Sequence, residues 1–247
     1  MRAISLCCAV LMLLIFPLSA MAQDGSEMMV ESADVEIMSG GQAYQSYLAA
    51  PADEGMYPGI ILIHSFRGLE PGYRTMTDNL AAEGFVVLAV GWQTFEQSPP
   101  DATLSQILED SIAFMTARDD VDPEKLGLTG FCAGGRYTML FLPQIDAFAA
   151  GVAWYGFPYN GDTTASSVAA QLDAPMLIIH GTEDSASPIG DIYRYAGELD
   201  SAGKYFELKV YFGEPHGFML SGGQLRDDEV AVDAFNQMAS FFKRKLG

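Results

Sequence analysis

The stretch Leu126-Gly127-Leu128-Thr129-Gly130-Phe131-Cys132-Ala133-Gly134-Gly135-Arg136 decides how this chain is read. Residues 126–129 form a short apolar run of the kind that becomes a buried strand. The residues from 136 to 142 have the composition of a helix. Between them, Cys132 stands with a glycine two positions away on each side. Glycines at those spacings let a strand and a helix approach without side-chain clash, so the residue between them can sit on a sharp turn. Such a turn lifts the side chain above the carboxyl edge of a sheet. It also leaves the next amide, that of Ala133, at a helix N-terminus, where it can donate to an oxyanion and where the helix dipole favours a thiolate.

Outward from this point, strand and helix signals alternate. Residues 35–37 and 44–48 predict a hairpin around Ser39-Gly40-Gly41. Continuous apolar runs at 59–64, 85–90, 148–155, 175–180 and 206–212 predict strands buried on both faces. Helices are predicted over 74–83, ended by Gly84, over 101–118, 189–202 and 229–246. Asp119-Asp120-Val121-Asp122-Pro123 breaks the second of these. Residues 156–173 are rich in Gly, Pro, Ser and Thr and are expected to form a loop or cover over the sheet edge. Alternation of this kind implies right-handed crossovers and a mainly parallel sheet with helices on both faces. One α/β domain over residues 23–247 is expected, since no repeat or long linker divides them.

The N-terminus reads as a secretory signal over residues 1–22. Arg2 precedes an apolar run to Leu18, and Ala20-Met21-Ala22 offers a small-x-small cleavage site before Gln23. The chain has 247 residues and a formal net charge of −19. Loss of Arg2 with the leader makes the remainder one unit more negative. An acidic surface of that size argues against nucleic acid and anionic membranes as partners. Cleavage would also remove Cys7 and Cys8, leaving Cys132 alone, with no internal disulfide, CxxC pair or thiolate metal cluster open to it. No H-E-x-x-H, phosphate-loop or dinucleotide fingerprint occurs, so neither a metal nor a cofactor is expected.

A nucleophile on such a turn calls for an acid and then a histidine further along the chain. Glu183 and Asp184 both follow the run at 175–180. Of the three histidines, His216 lies in Glu214-Pro215-His216-Gly217-Phe218, after the last strand, where a base has to sit. His64 and His180 end strands and read as structural. A thiolate attack on a carbonyl would then be supported by the Ala133 amide and by a second amide after the strand at 59–64, with Phe66 as the candidate.

With these residues in hand, the chain resembles the dienelactone hydrolase family, of α/β-hydrolase fold, through most of its length after the leader. Gly130-Phe131-Cys132-Ala133-Gly134-Gly135 is close to that family's nucleophile segment, His180-Gly181-x-x-Asp184-x-x-x-Pro188 to its acid segment and His216-Gly217-Phe218 to its histidine segment. The resemblance implies a Cys132–His216–Asp184 triad, chooses Asp184 over Glu183, and implies hydrolysis of a small-molecule ester or lactone. Thioester hydrolysis would use the same groups. A non-catalytic binding protein or a thiol-redox protein on the same fold are the other classes to weigh.

Two departures stand out. The family's thiol-assisting glutamate is replaced here by Ser65, with Glu70 several residues later. Of the arginines that bind the substrate carboxylate, one is replaced by Leu220, and the other is missing from Trp92, Gln93, Thr94 and Phe95. Arg67 and Arg136 are the candidates to replace them, and Trp92 is a further candidate for contact with substrate. Dienelactone itself is not the expected substrate.

Overall fold

The computed structural model describes residues 28–247. The expected signal sequence over 1–22 lies outside them. The chain opens with β1 (Val30–Ser39) and β2 (Gln42–Pro51), an antiparallel hairpin in which Ser39 faces Gln42. Its two turn residues, Gly40 and Gly41, have φ of 56° and 80°, the signature of a type I′ turn matched to strand twist. Then follow β3 (Tyr57–Ile63), α1 (Pro71–Ala82), β4 (Val86–Val90), α2 (Asp101–Thr116), β5 (Val121–Phe131), α3 (Ala133–Phe141) and β6 (Phe148–Trp154). The short α4 (Ala165–Val168) runs into a 3-10 turn, Ala169–Gln171. The rest is β7 (Met176–Gly181), α5 (Ile189–Ser201), β8 (Phe206–Tyr211), the two-residue β9 (Leu220–Ser221) and β10 (Gln224–Leu225), and α6 (Glu229–Leu246).

Eight strands form one sheet in the order β1-β2-β4-β3-β5-β6-β7-β8. β1 and β2 are antiparallel to each other and β2 to β4, while β3 to β8 are all parallel. This is the expected α/β architecture. Alternation along β3 builds its two layers. Ile61 and Ile63 face the core under α2, α3 and α5, and Ile60 and Leu62 face the core under α1 and α6.

Among the boundaries that differ from the sequence reading, three are the most informative. α1 starts at Pro71 rather than 74, because a proline is pre-set for a first helical turn and has no N–H to leave unsatisfied. α3 starts at Ala133, directly after the cysteine, rather than at 136. β5 starts at Val121, inside the stretch read as a break. Val121 and Asp122 pair with Tyr57 and Pro58, then the register jumps so that Gly59 faces Leu126, which places Pro123 outside the ladder.

Residues 156–173 are not a loose cover. Ala165, Val168, Ala169 and Leu172 are buried in the core on the α3 side. Tyr159 and Ser166 both donate to Glu198 of α5, at 2.9 and 2.6 Å, and fasten the segment to the body.

Candidate active site

β5 delivers Cys132 to the carboxyl edge of the sheet with φ 59° and ψ −111°, a left-handed conformation that a non-glycine residue adopts only under constraint. Its amide donates to the Trp154 carbonyl at 3.1 Å, and its own carbonyl accepts from the Arg136 amide at 3.0 Å. The two flanking glycines are sterically required. A Cβ at Gly130 would collide with the Gly134 carbonyl, and one at Gly134 with the carbonyl of Ile63 in β3. As the first residue of α3, Ala133 has an amide with no intrahelical acceptor.

Asp184 follows β7 and is 4 % exposed. Its Oδ1 accepts from the Ala186 and Ser187 amides at 2.9 and 2.7 Å. Its Oδ2 lies 2.8 Å from Nδ1 of His216. An ionised carboxylate only accepts, so Nδ1 carries the proton and Nε2 is left for the sulfur side. Burial works to raise the Asp184 carboxyl, but the hydrogen bonds from His216 and the Ser187 amide outweigh it and hold it below its ordinary value. Glu183 is exposed, and its amide binds the Glu214 carbonyl at 3.0 Å. The His216 contact is thus with Asp184, and Glu183 faces solvent.

The His216 ring is packed between Tyr155 and Phe157, each with its ring centroid 5.2 Å away. Burial by itself would lower the imidazole, but the Asp184 and Cys132 groups on its two sides push it up to about 9. His180 is fully buried and keeps to the structural role expected of it. Its Nε2 donates to the Ser187 carbonyl at 2.8 Å and lies 3.4 Å from Asp184 Oδ2, bracing the loop that carries the acid. Burial lowers its pKa, keeping it neutral.

Cys132 and His216 open onto a cavity of about 340 Å³ that also meets Phe66, Arg67 and Leu220. Two of the candidate substrate contacts are not there. Arg136 forms a bidentate pair with Asp101, both distances 2.7 Å, and donates to the carbonyls of Asn160 and Thr163. It clamps the 156–173 segment instead of facing a ligand. Trp92 is 1 % exposed, donates through Nε1 to the His64 carbonyl at 3.2 Å and stacks on the His64 ring at 5.3 Å. Its bulk is core material. His64 is likewise buried, with burial lowering its pKa to about 4.

Sequence reasoning missed Tyr73, Tyr155 and Glu70 as cavity residues. Tyr73 lies beside Ser65, whose Oγ accepts the Arg67 amide at 3.2 Å. Tyr155 has φ 35°, and its buried hydroxyl has no hydrogen-bond partner among the described residues. Positive φ at a tyrosine leaves no trace in hydrophobic periodicity. Also unforeseen was the β9–β10 hairpin, which walls the cavity through Leu220, Gly222 and Gly223.

The dienelactone hydrolase family model matches residues 44–246. The chain belongs to that family. As a member it is a hydrolase acting on ester bonds. A relative from Methylorubrum extorquens, provisionally named carboxymethylenebutenolidase, is 30 % identical over 236 residues, covering 86 % of this chain and 81 % of the other. One of the same provisional name from Escherichia coli is 29 % identical over 234 residues, covering 85 % and 86 %. A solved structure from Klebsiella pneumoniae, provisionally named a dienelactone hydrolase, superposes with a TM-score of 0.80 at 24 % identity, over 87 % of this chain and 99 % of that one. At that identity the structural likeness bears on the fold alone.

Replacing Arg136 with Ala strips a part-buried, charge-assisted clamp and should cost about 1.5–3 kcal/mol of stability. A urea titration should show the loss as a lower midpoint. Ester turnover per folded molecule should stay within about threefold, whereas a substrate-binding arginine would show its loss in KM.

Proposed function

We propose that this family member cleaves a carboxylic ester or lactone of a small molecule by nucleophilic catalysis, with Cys132 as nucleophile, His216 as proton carrier and Asp184 as the group that orients and stabilises the imidazolium. The observation that carries the reading is the 2.8 Å contact from His216 Nδ1 to Asp184 Oδ2, which leaves Nε2 for the sulfur on the elbow. An imidazole with a pKa of about 9 holds its proton at neutral pH and is ready to give it to a leaving group. The thiolate attacks the carbonyl carbon, and the carbonyl electron pair moves onto oxygen. The Ala133 amide and the amide at Phe66 stabilise that oxyanion. His216 gives its proton to the departing alkoxide, and a thioester remains on Cys132. Water attacks this acyl-enzyme with His216 as base, releasing the acid and restoring the thiol system. Thioesters fit the same sequence of steps.

The leader over residues 1–22 supports export of the mature chain to the periplasm or medium. A mature N-terminus at Gln23, read by mass spectrometry of protein from an export-competent host, is expected; an intact Met1 would overturn this.

Cys132→Ala should lower kcat for a short acyl ester by at least about 10³-fold with the fold retained by circular dichroism. Turnover within tenfold of the wild type would end the triad assignment. The proton on His216 is present below about pH 9 and lost above it. kcat/KM should therefore show a falling limb centred near pH 9, and a profile still rising at pH 10 would contradict the acid role of His216.

A further inference from the structure

Glu70 stands directly before α1, at a position where a side chain usually turns back to cap the helix, yet it makes no capping hydrogen bond. The half-buried side chain borders the cavity of Cys132 instead. Room for its carboxylate is made by the β9–β10 turn. Gly222 and Gly223 have φ of 57° and 79°, and a Cβ at Gly223 would lie 3.1 Å from Glu70 Oε1. The Gly72 amide donates to the Gly223 carbonyl at 2.9 Å, so hairpin and helix hold this arrangement together.

Among the described residues the Glu70 carboxylate enters no ion pair or side-chain hydrogen bond, and the nearby arginines are engaged elsewhere: Arg74 with Asp34, Arg136 with Asp101, Arg226 with Glu214 and Asp228. Besides His216, which is held by Asp184, Arg67 is the one cation at the cavity among the described residues, and it is exposed, so solvent screens it more than Glu70. Leu220, which lines the same cavity, brings no charge to it. Glu70 and Cys132 also act together on Tyr73. Burial raises that phenol, a Ser65 hydrogen bond opposes this, and both neighbouring charges add to the rise. A half-buried carboxylate without a donor is costly unless a ligand supplies one.

Resting on the hydrolase reading above, we propose that Glu70 is a specificity-determining residue that binds an ammonium or hydroxyl group of the substrate beyond the scissile bond, so that the cavity takes cationic or donor-bearing esters in preference to carboxylate-bearing ones.

The test uses three acetyl thioesters on the full-length enzyme at low salt, followed by loss of thioester absorbance: acetylthiocholine (cationic), S-ethyl thioacetate (neutral) and S-acetylthioglycolate (anionic). The wild type should favour the cation over the anion by at least about tenfold in kcat/KM. In Glu70→Gln that ratio should fall about tenfold, and Glu70→Asp should restore part of it. An unchanged ratio, or a wild-type preference for the anion, overturns the proposal. A second readout needs no turnover. Choline should slow alkylation of Cys132 by iodoacetamide in the wild type more than propionate does, and this difference should vanish in Glu70→Gln. Choline protection without hydrolysis of any thioester would retain the Glu70 assignment and remove the ester reading. Slower alkylation of Glu70→Gln without added ligand, with all three thioesters depressed equally, would show that Glu70 acts on the thiol and overturn the proposal.

Discussion

Cys132 can hold its left-handed backbone only because β5, α3 and β3 meet at van der Waals distance. Gly130 must lack a side chain to pass the Gly134 carbonyl, and Gly134 must lack one to pass Ile63. The strain is balanced by hydrogen bonds on both sides, from the Cys132 amide to Trp154 and from the Arg136 amide to the Cys132 carbonyl. The same contact that strains the residue frees the Ala133 amide and turns the sulfur into the cavity. The remaining parts of the site are arranged around a point that cannot move without separating two sheet strands from a helix.

The acid–base side depends on the same sheet edge. β7 ends at Gly181, and the loop after it folds so that the Ala186 and Ser187 amides meet one oxygen of Asp184 and His216 meets the other. His180 braces the loop from below through Ser187. Aromatic rings then hold His216 on two sides. The imidazole has little freedom, and the Asp184 carboxylate holds the proton on its Nδ1. For the catalysis proposed above, this orientation would precede substrate binding and lower the cost of organising the transition state.

Family membership and local departures answer different questions. The match over residues 44–246 carries the fold and the class of chemistry. Ser65 and Leu220, where the sequence resemblance implied a glutamate and a carboxylate-binding arginine, both line the cavity, which gains Glu70 from the following helix start. Trp92, read as a candidate substrate contact, and Arg136, read as a candidate replacement arginine, serve the core and the 156–173 segment respectively. In the reading proposed above, bond cleavage and the choice of substrate fall to different elements: the first to strand ends, the second to α1 and a short hairpin.

What the sequence by itself determined was whatever has a period, a spacing or a steric requirement. Apolar runs marked β3 to β8, the glycine spacing marked the turn at Cys132, and the order of Cys132, Asp184 and His216 marked the candidate triad. Those signals are local, so they survive without coordinates. Only the tertiary structure decided where long side chains end. Arg136 could have pointed to a ligand or to Asp101, and Trp92 to the cavity or to His64; composition is the same in either case. Packing also decided that Pro123 falls in a register shift and that residues 156–173 lie down on the core. Glu70 became a cavity residue because a hairpin more than a hundred residues further along the chain leaves space for its carboxylate, a contact that no local pattern encodes.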